Sequence, residues 1–393
     1  MKPTTAQTSL ARLALTSSDS VRPDVANFVA LISCSKSKGG HRDIARDMYV
    51  SPLYRKSLQL TELWGVPFYI LSAKYGLLRP DELIEPYEQT LKTATKKEKQ
   101  EWAQRVDKQL RELQTKDFIV LAGDDYFAPL VEAGSSDPLN YFTPMRSLSL
   151  GTRLAFLNEA IKIERRGAAI RSAYALFERI SESRTPPRLA DLLATDLPSH
   201  GVYFFFDGSE ATRFSTVFPR LVRIGTHGIS AGSTATLRNR LRTHFGTKAG
   251  QGNHRASVFR LHVGRALIER DSLQDQYPDW GKGQSAPRDI TDREAALEAR
   301  VSQYIGNLRV LAIPVIDTAG KSSMRATVER QFIAMFTEHL CALESGSPNW
   351  LGKFSDKASI KETGLWNVRD VGEQYDLKFL ALLEAYLNKN GYR

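Results

Sequence analysis

The stretch GVYFFFD (Gly201 to Asp207), followed by LVRIGTHG (Leu221 to Gly228), TLRNRLRTHF (Thr236 to Phe245) and GNHRASVFR (Gly252 to Arg260), decides how the second half of this chain folds. GVYFFFD reads as a strand carrying Tyr203. LVRIGTHG reads as a second strand running into a glycine. TLRNRLRTHF is helical, and the four-residue step from Arg240 to His244 puts both side chains on one face. Further on, LRVLAIPVID (Leu308 to Asp317) is a third strand, and ATVERQFIAMFTEHL (Ala326 to Leu340) is a helix carrying Glu329. This order predicts an α+β domain.

Composition sets the outer limits. At 393 residues the chain is too long for one core and is expected to form two domains. Its apolar share of 42% and charged share of 25% are those of an ordinary globular protein. No apolar run approaches the ~20 residues that span a bilayer. Two cysteines, Cys34 and Cys341, are too few for a disulfide framework or a zinc cluster, which suits the cytoplasm. The net charge is +10, and residues 201–270 carry eleven Lys and Arg against Asp207, Glu210 and Glu269. Such a segment is either a solvated basic face or a surface for a polyanion. The dominance of arginine favours phosphate.

Residues 1–26 read as a flexible leader, without the h-region of a signal peptide. Residues 27–164 alternate strand and helix signals: NFVALIS, VPFYILSA and DFIVLAG are apolar runs separated by helical stretches. That order predicts an α/β domain with a largely parallel sheet. Residues 165–200 read as a helical linker broken by SRTPPR and DLPSHG. The second domain is expected over 201–393, with an insertion near 271–290.

The second domain resembles the GIY-YIG nuclease family, which implies an α+β fold with a small mixed sheet flanked by helices. GVY matches the first half of that motif, RIG (Arg223 to Gly225) the second, and Arg240-x-x-x-His244 the helix that follows. The resemblance implies metal-dependent hydrolysis of phosphodiester bonds in DNA. It implies that Tyr203 lies near the attacking water as general base or positioner, that Arg240 grips the phosphate, and that His244 shares in proton transfer. His254 matches a further histidine of some members, and Asn349 a late polar residue of some relatives. Glu329, four residues before Ile333, would bind the metal. One carboxylate with open water positions suits Mg²⁺ or Mn²⁺. Arg238, Arg242, Lys248, Arg255 and Arg260 are the expected nucleic-acid contacts. The sequence departs from the family at Arg223, where a tyrosine is usual. A guanidinium can bind phosphate but cannot act as a base, and His227 is a candidate to take part instead.

In the first domain, ISCSKSK, SAKYGLL and PYEQTL resemble an uncharacterised bacterial α/β family, with a loose likeness to uracil-DNA-glycosylase-like domains. Ligands of parallel sheets bind beyond the carboxyl ends of the strands. The expected pocket there comprises Ser33, Cys34, Ser35, Lys36, Lys74, Tyr75, Gly123 and Tyr126, able to hold a phosphate or nucleotide. Cys34 reads either as a nucleophile beside lysines or as a small buried strand-end residue. Such a domain would recognise a modified base or excise it. The architecture suggests restriction of foreign DNA in phage defence, by a protein able to act as a homodimer. Two other readings stay open: a non-cutting nucleic-acid-binding protein with a decayed site, and a glycosylase-like enzyme that uses the second domain only for grip.

Overall fold

A computed structural model describes residues 28–134, 137–340 and 342–392. The expected leader, and Cys341, lie outside these residues. The chain divides into two compact units between Arg166 and Gly167.

The first unit is built on a five-stranded sheet. Its strands are β1 (Val29–Ser33), β2 (Phe68–Ser72), β3 (Gly76–Leu78), β4 (Asp117–Leu121) and β5 (Asn140–Phe142), in the order β3-β2-β1-β4-β5. β2, β1, β4 and β5 are parallel and β3 alone runs antiparallel, as a largely parallel α/β reading requires. Helix α1 (Pro52–Trp64) begins with Ser51 as its cap and a proline at the first position, and stops at Gly65, which takes a left-handed conformation. Helix α2 (Lys96–Arg111) opens on a Thr95–Glu98 capping box and buries Trp102, Ala103, Val106 and Leu110. A short helix α3 (Asp124–Glu132) follows β4.

Helix α4 (Leu150–Ile180) runs through the point of division. Its later residues Ile170, Ala173, Tyr174 and Phe177 are buried in the core of the second unit. The first half of the segment expected as a helical linker is thus helix, with its apolar face in that core.

The second unit has a three-stranded sheet in the order β8-β6-β7, formed by β6 (Gly201–Asp207), β7 (Arg220–Gly225) and β8 (Arg309–Pro314), and antiparallel throughout. Helices pack on both faces, which is why GVYFFFD is apolar without alternation. Val202, Phe204 and Phe206 face a core shared with α4 and α8 (Met324–Thr337). Tyr203 and Phe205 face the other, shared with α5 (Leu237–Phe245), α6 (Val258–Asp271) and α7 (Arg288–Asn307). The expected insertion is a run of turns between α6 and α7, with Tyr277 and Trp280 tucked into that second core. A last helix, α9 (Phe379–Lys389), buries Phe379, Leu383 and Leu387.

Candidate active site

Tyr203 lies on the central strand β6, wholly buried, with Gly225 of β7 as its register partner. A Cβ at position 225 would overlap the tyrosine ring, so only glycine lets the ring lie across the strand here. The Tyr203 hydroxyl is 2.8 Å from His244 Nε2, and His244 Nδ1 is 2.8 Å from Ser257 Oγ. Ser257 is also the cap of α6 and accepts from the Arg260 amide. Burial, and then the nearby charges of Arg240, Arg223 and Arg260, hold the His244 pKa well below the usual imidazole range. His244 is thus neutral at physiological pH, with each ring nitrogen against a hydroxyl.

Beside this buried chain a cleft of about 720 Å³ opens, with Arg223, Arg240 and Glu329 among its lining residues. Arg240 lies one helical turn before His244 on α5, whose first turn is capped by Thr236. Arg223 comes from β7; its Nη1 donates to Trp366 O at 2.8 Å and its guanidinium lies 4.6 Å from the centre of the Phe259 ring. Burial lowers its pKa, opposed by Tyr203 and reinforced by Arg240. Glu329 enters from α8. Burial pushes its carboxyl up to about 7, against the pull of Arg223, the Thr226 amide and Arg240. The floor thus combines two guanidiniums with a carboxylate of raised proton affinity, and Tyr203 and His244 stand behind it, outside the cleft lining.

A family model described as a GIY-YIG domain matches residues 164–392. The chain belongs to the GIY-YIG family. This is a family of nucleases acting on DNA. A second model, of a family of unknown function (DUF6884), matches residues 29–159. No curated protein and no solved structure matches the chain.

Within the GIY-YIG unit the structure brings Tyr203 and His244 together, and sets Arg223, Arg240 and Glu329 around one cleft. His254 is elsewhere. Its Nδ1 lies 2.9 Å from Glu298 Oε1, its Nε2 accepts from Gly281 N–H, and its ring stacks on Trp280 at 3.8 Å. It is not among the residues that line the cleft. Two expected nucleic-acid contacts are held in ion pairs within the unit. Arg260 is fully buried on Glu298, with Nε to Oε2 at 2.9 Å, and Arg255 holds Glu294 through both terminal nitrogens. Removing one partner of such a buried pair typically costs about 3–5 kcal/mol. Arg238 donates to the Leu193 and Thr195 carbonyls, whereas Arg242 and Lys248 are exposed.

Asn349 is exposed and away from the cleft; the late polar residue that reaches it is Asn367. Asn367 accepts from the Ile224 amide and donates to the Ile224 carbonyl, pairing with the edge of β7 as a backbone would. His227 does line the cleft, but burial, Arg325 and His200 bring its pKa down to about 4. It is too weak a base to replace a tyrosine. Arg325, unmarked by any motif, is buried against Asp317 at 3.1 Å and donates to Gly228 O, tying the start of the Glu329 helix to the loop after β7.

In the first unit Cys34 Sγ is 3.0 Å from Tyr126 OH, joining the ends of β1 and β4. The Tyr126 ring stands edge-on to Trp102, and Tyr75 edge-on to Tyr87. Ser35 is turned back onto the Ser37 carbonyl. Ser33 is partly exposed at the end of β1, Lys36 is exposed, and Gly123 is the N-cap of α3. Lys74 sits 4.9 Å from the centre of the Tyr75 ring, and Lys38 4.1 Å from that of Tyr87. Tyr87 OH also links Ser72 and Tyr49. Tyr49 and Tyr87 are not among the expected pocket residues, because their contacts join distant segments.

Proposed function

We propose that this protein is a divalent-metal-dependent endonuclease that hydrolyses phosphodiester bonds in DNA. The observation that carries the reading is the joint presence of Arg240, Arg223 and Glu329 around one cleft, with the Tyr203–His244–Ser257 chain behind it. Two fixed cations on a recessed floor suit a phosphate, and preorganised donors count most where charge develops.

A hard divalent cation fits the donor set. Glu329 is a carboxylate that gives up its proton reluctantly and would gain from a cation, and no group of three Asp, Glu, His or Cys side chains gathers among the described residues. An ion held by Glu329 would keep most of its water shell, as Mg²⁺ or Mn²⁺ does. Once bound, such an ion stabilises the negative charge that builds on the phosphate and the leaving oxygen. Arg240 orients the phosphate through its guanidinium fork. His244, 2.8 Å from the phenol, holds the Tyr203 hydroxyl in place behind the cleft.

The first unit is proposed to select the DNA, by recognising or processing a modified base, and the whole to act in the cytoplasm against phage or other foreign DNA. No helix of the described residues is long and apolar enough to cross a membrane. The burial of Tyr203 and the arginine at 223 also favour a second reading, a DNA-binding protein that no longer cuts. Supercoiled plasmid incubated with Mg²⁺ or with EDTA separates the two. Nicked or linear product with Mg²⁺ alone is expected, and an intact plasmid under both conditions would leave only the binding reading.

A further inference from the structure

We propose that Arg223 is a second phosphate ligand of the cleft, and that it lets the site hold nucleic acid before any metal arrives. The proposal rests on the nuclease reading for the identity of its ligand, the phosphodiester of a polynucleotide. Within the fully described part of the second unit, the other buried arginines supply the comparison. Arg220 has Glu210 at 3.2 Å, Arg260 has Glu298 and Arg325 has Asp317 at 3.1 Å. Arg223 is buried too, though the least so of the four, yet no Asp or Glu lies within ion-pair distance of it among the described residues. A buried cation without an ion-pair partner is costly, and a bound anion would offset that cost.

The side chain is also aimed. Its register partner on β6 is Phe205, which puts it on the face toward α5 and α6. One end is fastened by the Trp366 carbonyl and the flat of the guanidinium rests on Phe259, while Nε is buried with no acceptor. Arg240 Nε is in the same condition. Two guanidiniums of one cleft therefore each carry an unanswered donor. Tyr203 does not reach the cleft lining, so Arg223 is the group through which this part of the sheet meets a ligand. Where the family usually has an uncharged phenol, this chain has a permanent positive charge.

The test uses the full chain in EDTA, where no cleavage is expected, with a fluorescent four-nucleotide DNA as probe. So short a probe makes the cleft a large share of its contacts. R223Y, which restores the family's residue, is expected to weaken binding by about tenfold or more, as loss of a charged hydrogen bond does. R223K should retain most of the affinity, and inorganic phosphate should compete for wild type and R223K but not for R223Y. Thermal unfolding checks that the variants are folded; if R223Y is not, R223M keeps the stem without the charge. Binding by R223Y or R223M within twofold of wild type overturns the proposal. If wild type still nicks plasmid with Mg²⁺ in that case, the nuclease reading stands and this inference alone falls. A tenfold loss in a chain that never nicks would support the inference and remove the nuclease reading.

Discussion

Arg240→Ala is expected to lower the rate of Mg²⁺-dependent DNA cleavage by about a thousandfold, the upper range for losing one preorganised donor to developing charge. That corresponds to roughly 4 kcal/mol of transition-state stabilisation. Affinity for long DNA should fall only a few-fold, because exposed cations such as Arg242 and Lys248 share the work on a long duplex. The fold should persist, since Arg240 is only partly buried and its Nε has no partner to lose. Plasmid nicking rates, with electrophoretic binding and a melting curve as companions, check all three. Unchanged nicking by this variant would remove Arg240 from the reaction.

Glu329→Gln is expected to abolish cleavage and to change how stability depends on pH. The Glu329 carboxyl is raised from 4.5 to about 7 by burial, so the folded state holds a proton there that the unfolded chain has already released. The stabilisation from that proton is complete below pH 4.5 and is lost as the pH rises through 7. Its full size is at most about 3 kcal/mol. In EDTA, wild type should therefore lose stability relative to E329Q between these values, measured by denaturant unfolding. Mg²⁺ at pH 8 should stabilise wild type and leave E329Q unmoved, a readout that needs no turnover. Parallel pH profiles for the two proteins, or equal stabilisation by Mg²⁺, would contradict the placement of the metal at Glu329.

Much of this site was legible in local spacing. The Arg240–His244 step, the glycine that ends β7 and the buried run around Tyr203 are each readable within a few residues. What spacing could not show are contacts between distant segments. Ser257 behind His244, Asn367 along the edge of β7 and the Trp366 carbonyl that fastens Arg223 all arise from packing. Ion pairing between distant segments is invisible in local charge for the same reason. Arg255 and Arg260 look like part of a basic surface because their partners Glu294 and Glu298 fall on α7, outside residues 201–270. In the first unit the parallel sheet followed from alternating apolar runs. The ring cluster of Tyr49 and Tyr87 at its strand ends did not, since no period marks it.

The most direct measurement is a crystal structure of the full chain with Mn²⁺ and a short DNA. The account predicts an anomalous peak for manganese against the Glu329 carboxylate, and one phosphate within hydrogen-bond distance of both Arg240 and Arg223. Manganese bound elsewhere, or a DNA backbone that passes the cleft without entering it, would contradict it.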